Sequence, residues 1–173
     1  MEDAVREAVS RGLDFIIFGG MTLKEGRQKR VFMNTLKKYK PELISEYDKI
    51  YTGDKWGNAV PAYYAQLVKN FYEAAKNYQI PVRIPPDIFS EVIDMDDQVI
   101  VILEHLDYLL KLKGRSSSFA QAARSLSQIK EPLAEAVDDL QKYRGVGPKT
   151  VSIIKEILNT GRCRWYEKEL GVA

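Results

Sequence analysis

The strongest chemical signal in the sequence is a glycine hairpin near the C-terminus, Gly145-Val146-Gly147-Pro148-Lys149. Two glycines one residue apart permit positive φ angles and let another molecule approach the backbone closely. Pro148 favours the first turn of a following helix, whose free N–H groups then point at the same place. Such a helix N-terminus binds anions, and the phosphate of a nucleic acid is the natural ligand.

Basic residues accompany this hairpin. Lys142 and Arg144 precede it and Lys149 lies within it, so full positive charges stand beside the backbone donors. A contact with phosphates touches no base edge, so we expect binding without strong sequence preference. The alternative is a plain helical hairpin in which the glycines only permit the turn.

The composition excludes several kinds of active site. The chain has 173 residues with one cysteine, Cys163, and one histidine, His105. A single cysteine excludes an internal disulfide, a Cys-x-x-Cys zinc site and a self-contained iron–sulfur cluster. A single histidine removes most His-based metal sites. No apolar run approaches the roughly 18 residues of a membrane span, so we expect no membrane contact. The lack of a targeting segment and the single thiol favour a cytoplasmic location.

Charge is distributed unevenly along the chain. The formal net charge is +2, while residues 99–173 hold 12 Lys/Arg against 9 Asp/Glu. A shorter basic run, from Lys24 to Lys40, contains seven Lys/Arg and only Glu25 as an acid. This run is either a solvated helix face or a surface that contacts phosphates.

The first half of the chain reads mostly as helices. The apolar run from Asp14 to Phe18 predicts one buried strand, because it is rich in β-branched and aromatic residues. Thr22 and Glu25 form a capping-box pattern for a helix that runs to about Tyr39. Further helices are predicted at 2–12, 41–51 and 60–79, and a proline-rich segment follows at 80–89.

The second half predicts helices at about 97–112, 117–127, 132–143, 148–160 and 163–170, with Gly161 ending the fourth of these. We therefore expect a mainly α protein with at most one or two short strands near the N-terminus. The proposed domains are a helical region, 1–92, and a C-terminal four-helix domain, 93–173, that contains the hairpin.

Residues 140–161 resemble a helix-hairpin-helix motif, and about 99–173 resemble the small N-terminal domain of X-family DNA polymerases. The matching stretches are VILEHLDYLLKLKG, SSSFAQAARSLSQI and LQKYRGVGPKTVSIIKEILNTGRCRWYEKEL. The resemblance implies a compact domain that grips single-stranded or gapped DNA. It also implies a Na⁺ or K⁺ ion held by the backbone carbonyls of Gln141, Tyr143 and Val146. We expect no tightly bound cofactor.

Some members of that family remove abasic sugar phosphates through a lysine Schiff base, which requires a neutral amine. Here the position of the nucleophile holds Ile153, and Phe119 replaces a tyrosine of the family. Arg115 falls where the family has a phosphate-binding lysine, and Lys149 matches a DNA-contacting lysine. We therefore expect DNA binding rather than catalysis by this chain alone. The alternative is lyase activity in which Lys149 or Lys155 supplies the nucleophilic amine.

The segment from Asp14 to Tyr51 is similar to the C-terminal end of radical-SAM proteins of the spore photoproduct lyase-like group, in the pattern GG-x-TL-x-x-GRQ. That superfamily needs three cluster cysteines, which this sequence lacks. This resemblance gives the alternative that the chain is a fragment or subunit of a radical-SAM repair-like enzyme whose cluster lies on another chain.

The sequence thus predicts a sequence-nonspecific DNA-binding protein, with single-stranded or gapped DNA as partner and a role in DNA repair. The predicted DNA-contacting residues are Arg115, Lys142, Arg144, Gly145, Val146, Gly147, Lys149 and Thr150.

Overall fold

A computed structural model describes residues 1–171, and all regular structure in that range is helical. Its ten α-helices are α1 Glu2–Ser10, α2 Arg27–Tyr39, α3 Ile44–Ile50, α4 Pro61–Asn77, α5 Pro86–Phe89, α6 Met95–Leu112, α7 Phe119–Leu126, α8 Leu133–Ala136, α9 Pro148–Thr160 and α10 Arg164–Leu170. The expected mainly α fold is confirmed. Among the described helices, none combines the length and the apolar character that crossing a membrane requires.

The chain forms two compact units. Unit 1 consists of residues 1–17 and the chain from Tyr72 onward, and unit 2 consists of residues 18–71. The domain boundary predicted from the sequence lies between residues 92 and 93, and the last two residues of the predicted 93–173 domain lie outside the described range.

Helix α6 is the centre of unit 1. It packs against α7, α9 and α10, and its Val99, Leu103 and Leu106 are completely buried. Asp94 caps its N-terminus, since the carboxylate accepts the Asp97 N–H at 2.9 Å. These four helices and the short α8 all contribute buried residues to the core of unit 1.

The helix predicted at 132–143 is wrong as a continuous element. Helix α8 ends at Ala136, and a separate 3₁₀ turn covers Leu140–Lys142. The chain here bonds three residues back, as in Asp139 N–H to the Ala136 carbonyl at 2.9 Å. Leu133, Ala136 and Leu140 are nevertheless all buried, so the apolar spacing indicated the buried face correctly.

The proline-rich segment packs within unit 1 and is tied to α10. The Tyr166 hydroxyl donates to the Ile84 carbonyl at 3.0 Å and lies 2.7 Å from Nδ1 of His105. Because that hydroxyl proton goes to Ile84, His105 donates from Nδ1 to the tyrosine oxygen.

Arg83 lies 3.3 Å from the ring centroid of Tyr108. Burial and the nearby Arg83 charge lower the pKa of His105 to about 4.

The strand predicted at 14–18 is wrong, because no strand occurs within residues 1–171. Ile16 donates its N–H to the Pro81 carbonyl at 2.8 Å, but no paired strand lies alongside. Ile17 is 50% exposed, so the run is not the buried element that its composition suggested. A run rich in β-branched residues makes a strand only where another strand completes its backbone hydrogen bonds.

Unit 2 has an aromatic core. Phe71 is buried, and its ring stacks on Phe18 at 5.3 Å between centroids. The predicted capping box of Thr22 and Glu25 is absent, since α2 begins at Arg27 with Gly26 at its N-cap. The chain before α2 is held by Leu23, which is buried and donates its N–H to the Gly57 carbonyl at 2.7 Å.

Candidate nucleic-acid interface

The glycine hairpin connects the 3₁₀ turn Leu140–Lys142 to α9. Gly145 has φ 86°, in the left-handed region, whereas Gly147 has φ −98° and ψ 178°, an extended conformation open to any residue. Gly147 is the N-cap of α9 and Pro148 its first residue, as the sequence indicated. The two glycines therefore have different roles, one in the turn and one at the helix start.

Gly145 is required by close packing against α7. A Cβ at this position would lie 2.7 Å from the backbone nitrogen of Ala122, which is too near for any side chain. Two serine hydroxyls of the α7 region hold the same turn, since Ser118 donates to the Gly145 carbonyl at 3.0 Å and Ser125 to the Arg144 carbonyl at 2.8 Å. Buried Val146 completes the attachment.

These two serines were not among the residues predicted from the sequence. They stand seven residues apart, a spacing that places both on one face of a helix, and this was the available signal. Their consequence is that the hairpin backbone is fixed before any ligand arrives.

The N-terminus of α9 is open to solvent. A Cβ at Gly147 would meet no atom within 4 Å, and Pro148 and Lys149 are exposed. No side chain of the described residues caps this helix. The first-turn N–H groups therefore have the orientation and the positive partial charge that an anion needs.

Two of the predicted cations face solvent without an acidic partner. Arg144 and Lys149 are both exposed, and neither forms an ion pair within residues 1–171. Lys142 is weakly engaged, with its ammonium 3.4 Å from Asp139. Thr150 is different, because it is only 2% exposed and its side chain belongs to the core.

Lys149 leads to a second cluster that the hairpin sequence did not reveal. Its ammonium lies 3.6 Å from the ring centroid of Trp165, which packs edge-on against Phe119 at 5.6 Å. The Trp165 indole N–H donates to Glu169 at 3.0 Å. The predicted Arg115 reaches the same carboxylate at 3.9 Å, so the structure connects Arg115 to Lys149 through these two side chains.

Glu169 is the electrostatic centre of that cluster. Its side chain is 11% exposed, and Lys113 pairs with it directly. Burial alone would raise the pKa of this carboxyl, but the bonds from Lys113 and Trp165 lower it overall. Burial would likewise lower the pKa of Lys113, and the bond to Glu169 raises it. Both groups are therefore charged at neutral pH.

The structure places no reactive group at the lyase position. Ile153 is buried in the core, and Lys155 is paired with Asp138 at 2.8 Å. Cys163 is completely buried, and that burial raises the pKa of its thiol. Among the described residues, no three His, Cys, Asp or Glu side chains come together as metal ligands.

One comparison with known proteins matches the region that contains the hairpin. Residues 96–163 match the family model for a helix-hairpin-helix domain, about two-fifths of the chain. A helix-hairpin-helix domain indicates nucleic-acid binding. No curated protein and no solved structure gives a significant match.

Proposed function

We propose that this chain binds DNA through the phosphate backbone, without strong sequence preference, and that it prefers single-stranded or gapped DNA in a repair process. The observation that carries the proposal is the open N-terminus of α9, where Gly147 leaves the backbone amides accessible. Phosphates bind well at such a site, because several N–H groups and the helix dipole act on the same anion.

The charges around the amides support this assignment. Arg144 and Lys149 project beside the α9 N-terminus and have no carboxylate partner in the described chain, so a phosphate displaces no internal ion pair there. Hydrogen bonds between charged groups are shorter and stronger than neutral ones. Each phosphate neutralised in this way adds to the salt dependence of binding.

A groove beside the hairpin favours the binding of an unpaired strand. It has a volume of about 520 Å³ and is lined by Ser125, Ile129, Lys130 and Tyr143, among others. A single strand can lay its backbone along the hairpin and place a base against such partly apolar walls. Gaps expose unpaired nucleotides of any sequence, which is the reason that repair intermediates suit a site that reads only the backbone.

The alkali-ion site belongs to the same proposal. The Tyr143 carbonyl accepts the Val146 N–H at 3.1 Å. A backbone carbonyl oxygen has two lone pairs, so the second remains available for an ion. Carbonyl oxygens are suitable ligands for Na⁺ or K⁺. The carbonyls of Gln141, Tyr143 and Val146 would hold the ion, whose charge would add to that of the amides. Replacing K⁺ with a bulky organic cation at equal ionic strength is expected to weaken DNA binding.

The central experiment compares DNA binding by the wild type and Gly147→Val, using labelled gapped and single-stranded DNA. The extended backbone at Gly147 accepts valine, and the added methyls obstruct the amides. We expect at least a tenfold loss of affinity, equivalent to about 1.4 kcal/mol.

Gly19→Val is the matched control, because Gly19 also has open space around its Cβ position and no positive φ. Lys149→Gln and Lys155→Gln form a second pair on α9, in which only the first removes an unpaired cation. Equal affinities for wild type and Gly147→Val, or binding that hardly changes with salt, would contradict the proposal.

A further inference from the structure

Unit 2 carries the positive charge of this protein. Its residues 18–71 include ten Lys/Arg and five Asp/Glu, a net charge of +5, whereas the whole chain has +2. Unit 1, which contains the hairpin, is therefore negative overall. Long-range attraction of a polyanion depends on such summed charge, so unit 2 is the better attractor of nucleic acid from a distance.

Trp56 is a large aromatic side chain on the surface of unit 2. It is 58% exposed, although large aromatic residues normally bury most of their surface. It sits in a turn in which Gly57 donates to the Asp54 carbonyl at 2.8 Å and the Asn58 amide donates to the Asp54 carboxylate at 2.7 Å. The indole is thus displayed from an ordered turn.

The backbone after Trp56 is clamped to the segment before α2. The Gly57 carbonyl accepts the Leu23 N–H at 2.7 Å. Gly57 has φ 72°, and a Cβ there would lie 2.1 Å from the backbone nitrogen of Lys24. Only glycine permits this approach, which brings Lys24 beside Trp56.

Two ammonium groups lie near the indole ring. Nζ of Lys24 lies 5.2 Å from the ring centroid and Nζ of Lys55 lies 5.1 Å from it. Both lysines are exposed, and neither forms an ion pair within residues 1–171. An exposed aromatic ring beside unpaired cations is an arrangement with which proteins hold single strands: the ring stacks a base and the cations contact its phosphates.

We propose that Lys24, Lys55 and Trp56 form a second nucleic-acid contact, which binds one unpaired nucleotide of a single strand. A base stacks on the indole, and the two ammonium groups move from the ring to the flanking phosphates. This contact goes beyond the proposed function, which needs only the hairpin of unit 1. The unpaired basic residues Arg27 and Arg30 of α2 extend the positive surface of the same unit.

The test uses tryptophan fluorescence of the full chain. Trp56 and Trp165 are its two tryptophans, so Trp165→Phe leaves Trp56 as the sole reporter. Titration with oligo(dT) is expected to quench Trp56 emission, because a stacked base quenches an indole. When Gly147→Val is added, the quenching should persist but require a higher concentration of oligo(dT). That result would separate this contact from the hairpin.

Affinity measurements complete the test. Trp56→Ala is expected to weaken binding of oligo(dT) roughly tenfold, and Trp56→Phe should restore most of the loss, since base–aromatic stacking contributes about 1–3 kcal/mol. Lys24→Gln and Lys55→Gln should each reduce the slope of log affinity against log salt concentration by about 0.7. Lys76→Gln, an exposed lysine of unit 1, serves as the control for loss of one charge.

Two results would overturn the proposal. One is a Trp56→Ala variant that binds oligo(dT) with wild-type affinity, together with Trp56 emission in the Trp165→Phe variant that oligo(dT) does not quench. The other is a blue shift of Trp56 with phosphatidylglycerol vesicles but no response to oligo(dT), which would assign the patch to a membrane surface. Circular dichroism checks folding, and the exposure of Trp56 predicts unchanged thermal unfolding for the alanine variant.

Discussion

Protonation of His105 is expected to destabilise the fold below neutral pH. Its imidazole is partly buried in unit 1, donates from Nδ1 to Tyr166 and lies edge-on to Phe89 at 6.2 Å between ring centroids. Burial, with Arg83 nearby, lowers its pKa from 6.5 to about 4. The unfolded chain therefore takes up a proton at a higher pH than the folded chain does.

The sign and size follow from this difference. Above about pH 7 both states hold neutral histidine, so the full stability is present. As the pH falls from 6.5 toward 4, the unfolded state binds a proton that the folded state refuses, and stability is lost. A difference of about 2.5 pKa units corresponds to about 3 kcal/mol at low pH, and about 2 kcal/mol of this is lost by pH 5.

The assay is urea unfolding followed by circular dichroism between about pH 8 and pH 5, on wild type and His105→Gln. His105 is the only histidine, so no other side chain has an ordinary pKa within this range. The wild type should lose about 2 kcal/mol more than the variant over that interval. Parallel losses in both proteins, or an imidazole titration near pH 6.5 by NMR, would show that burial does not lower the pKa of His105 in the folded protein.

Other expected outcomes concern the hairpin and its surroundings. Gly145→Ala should lower the free energy of unfolding by about 2–4 kcal/mol in urea titrations, because it combines positive φ with a backbone clash, whereas Gly147→Ala should change it by less than about 1 kcal/mol. Glu169→Gln should tighten DNA binding at low salt and steepen its salt slope by about 0.7 for each cation released, measured by fluorescence anisotropy; unchanged binding would mean that the cluster lies outside the DNA contact. Ser125→Ala should cost about 1 kcal/mol of stability through loss of its bond to the hairpin. Cys163 should react with a thiol reagent only on unfolding, and rapid labelling of the native protein would contradict its burial.

The helices with a clear apolar period were predictable from sequence. The stripe that predicted α6 and α9 reflects faces that are buried in the structure, and Gly161 ends α9 with φ 67° as its position indicated. The period did not distinguish an α-helix from successive turns over 132–143, because both arrangements can bury residues three and four apart.

The site was predictable only in part, because sequence spacing reports on local contacts. The hairpin and its open amides follow from residues 145–149 alone. The different roles of Gly145 and Gly147 depend on how near α7 lies, which no local pattern encodes. Similarly, Trp165 and Glu169 reach Lys149 and Arg115 only through tertiary packing, and Thr150 is buried by that packing.

The order of the two units along the chain has a consequence for folding. Unit 2 interrupts unit 1 in sequence, so unit 1 can form only when residues on either side of a 54-residue insertion come together. The hydrogen bond from Ile16 to Pro81 joins the two sides. Loop-closure entropy grows with the logarithm of loop length, so exchanging the insertion for about six residues would remove about 2 kcal/mol of that cost. A permuted chain that starts at Tyr72 and links the present termini would make unit 1 continuous and give it a shorter route to the native state.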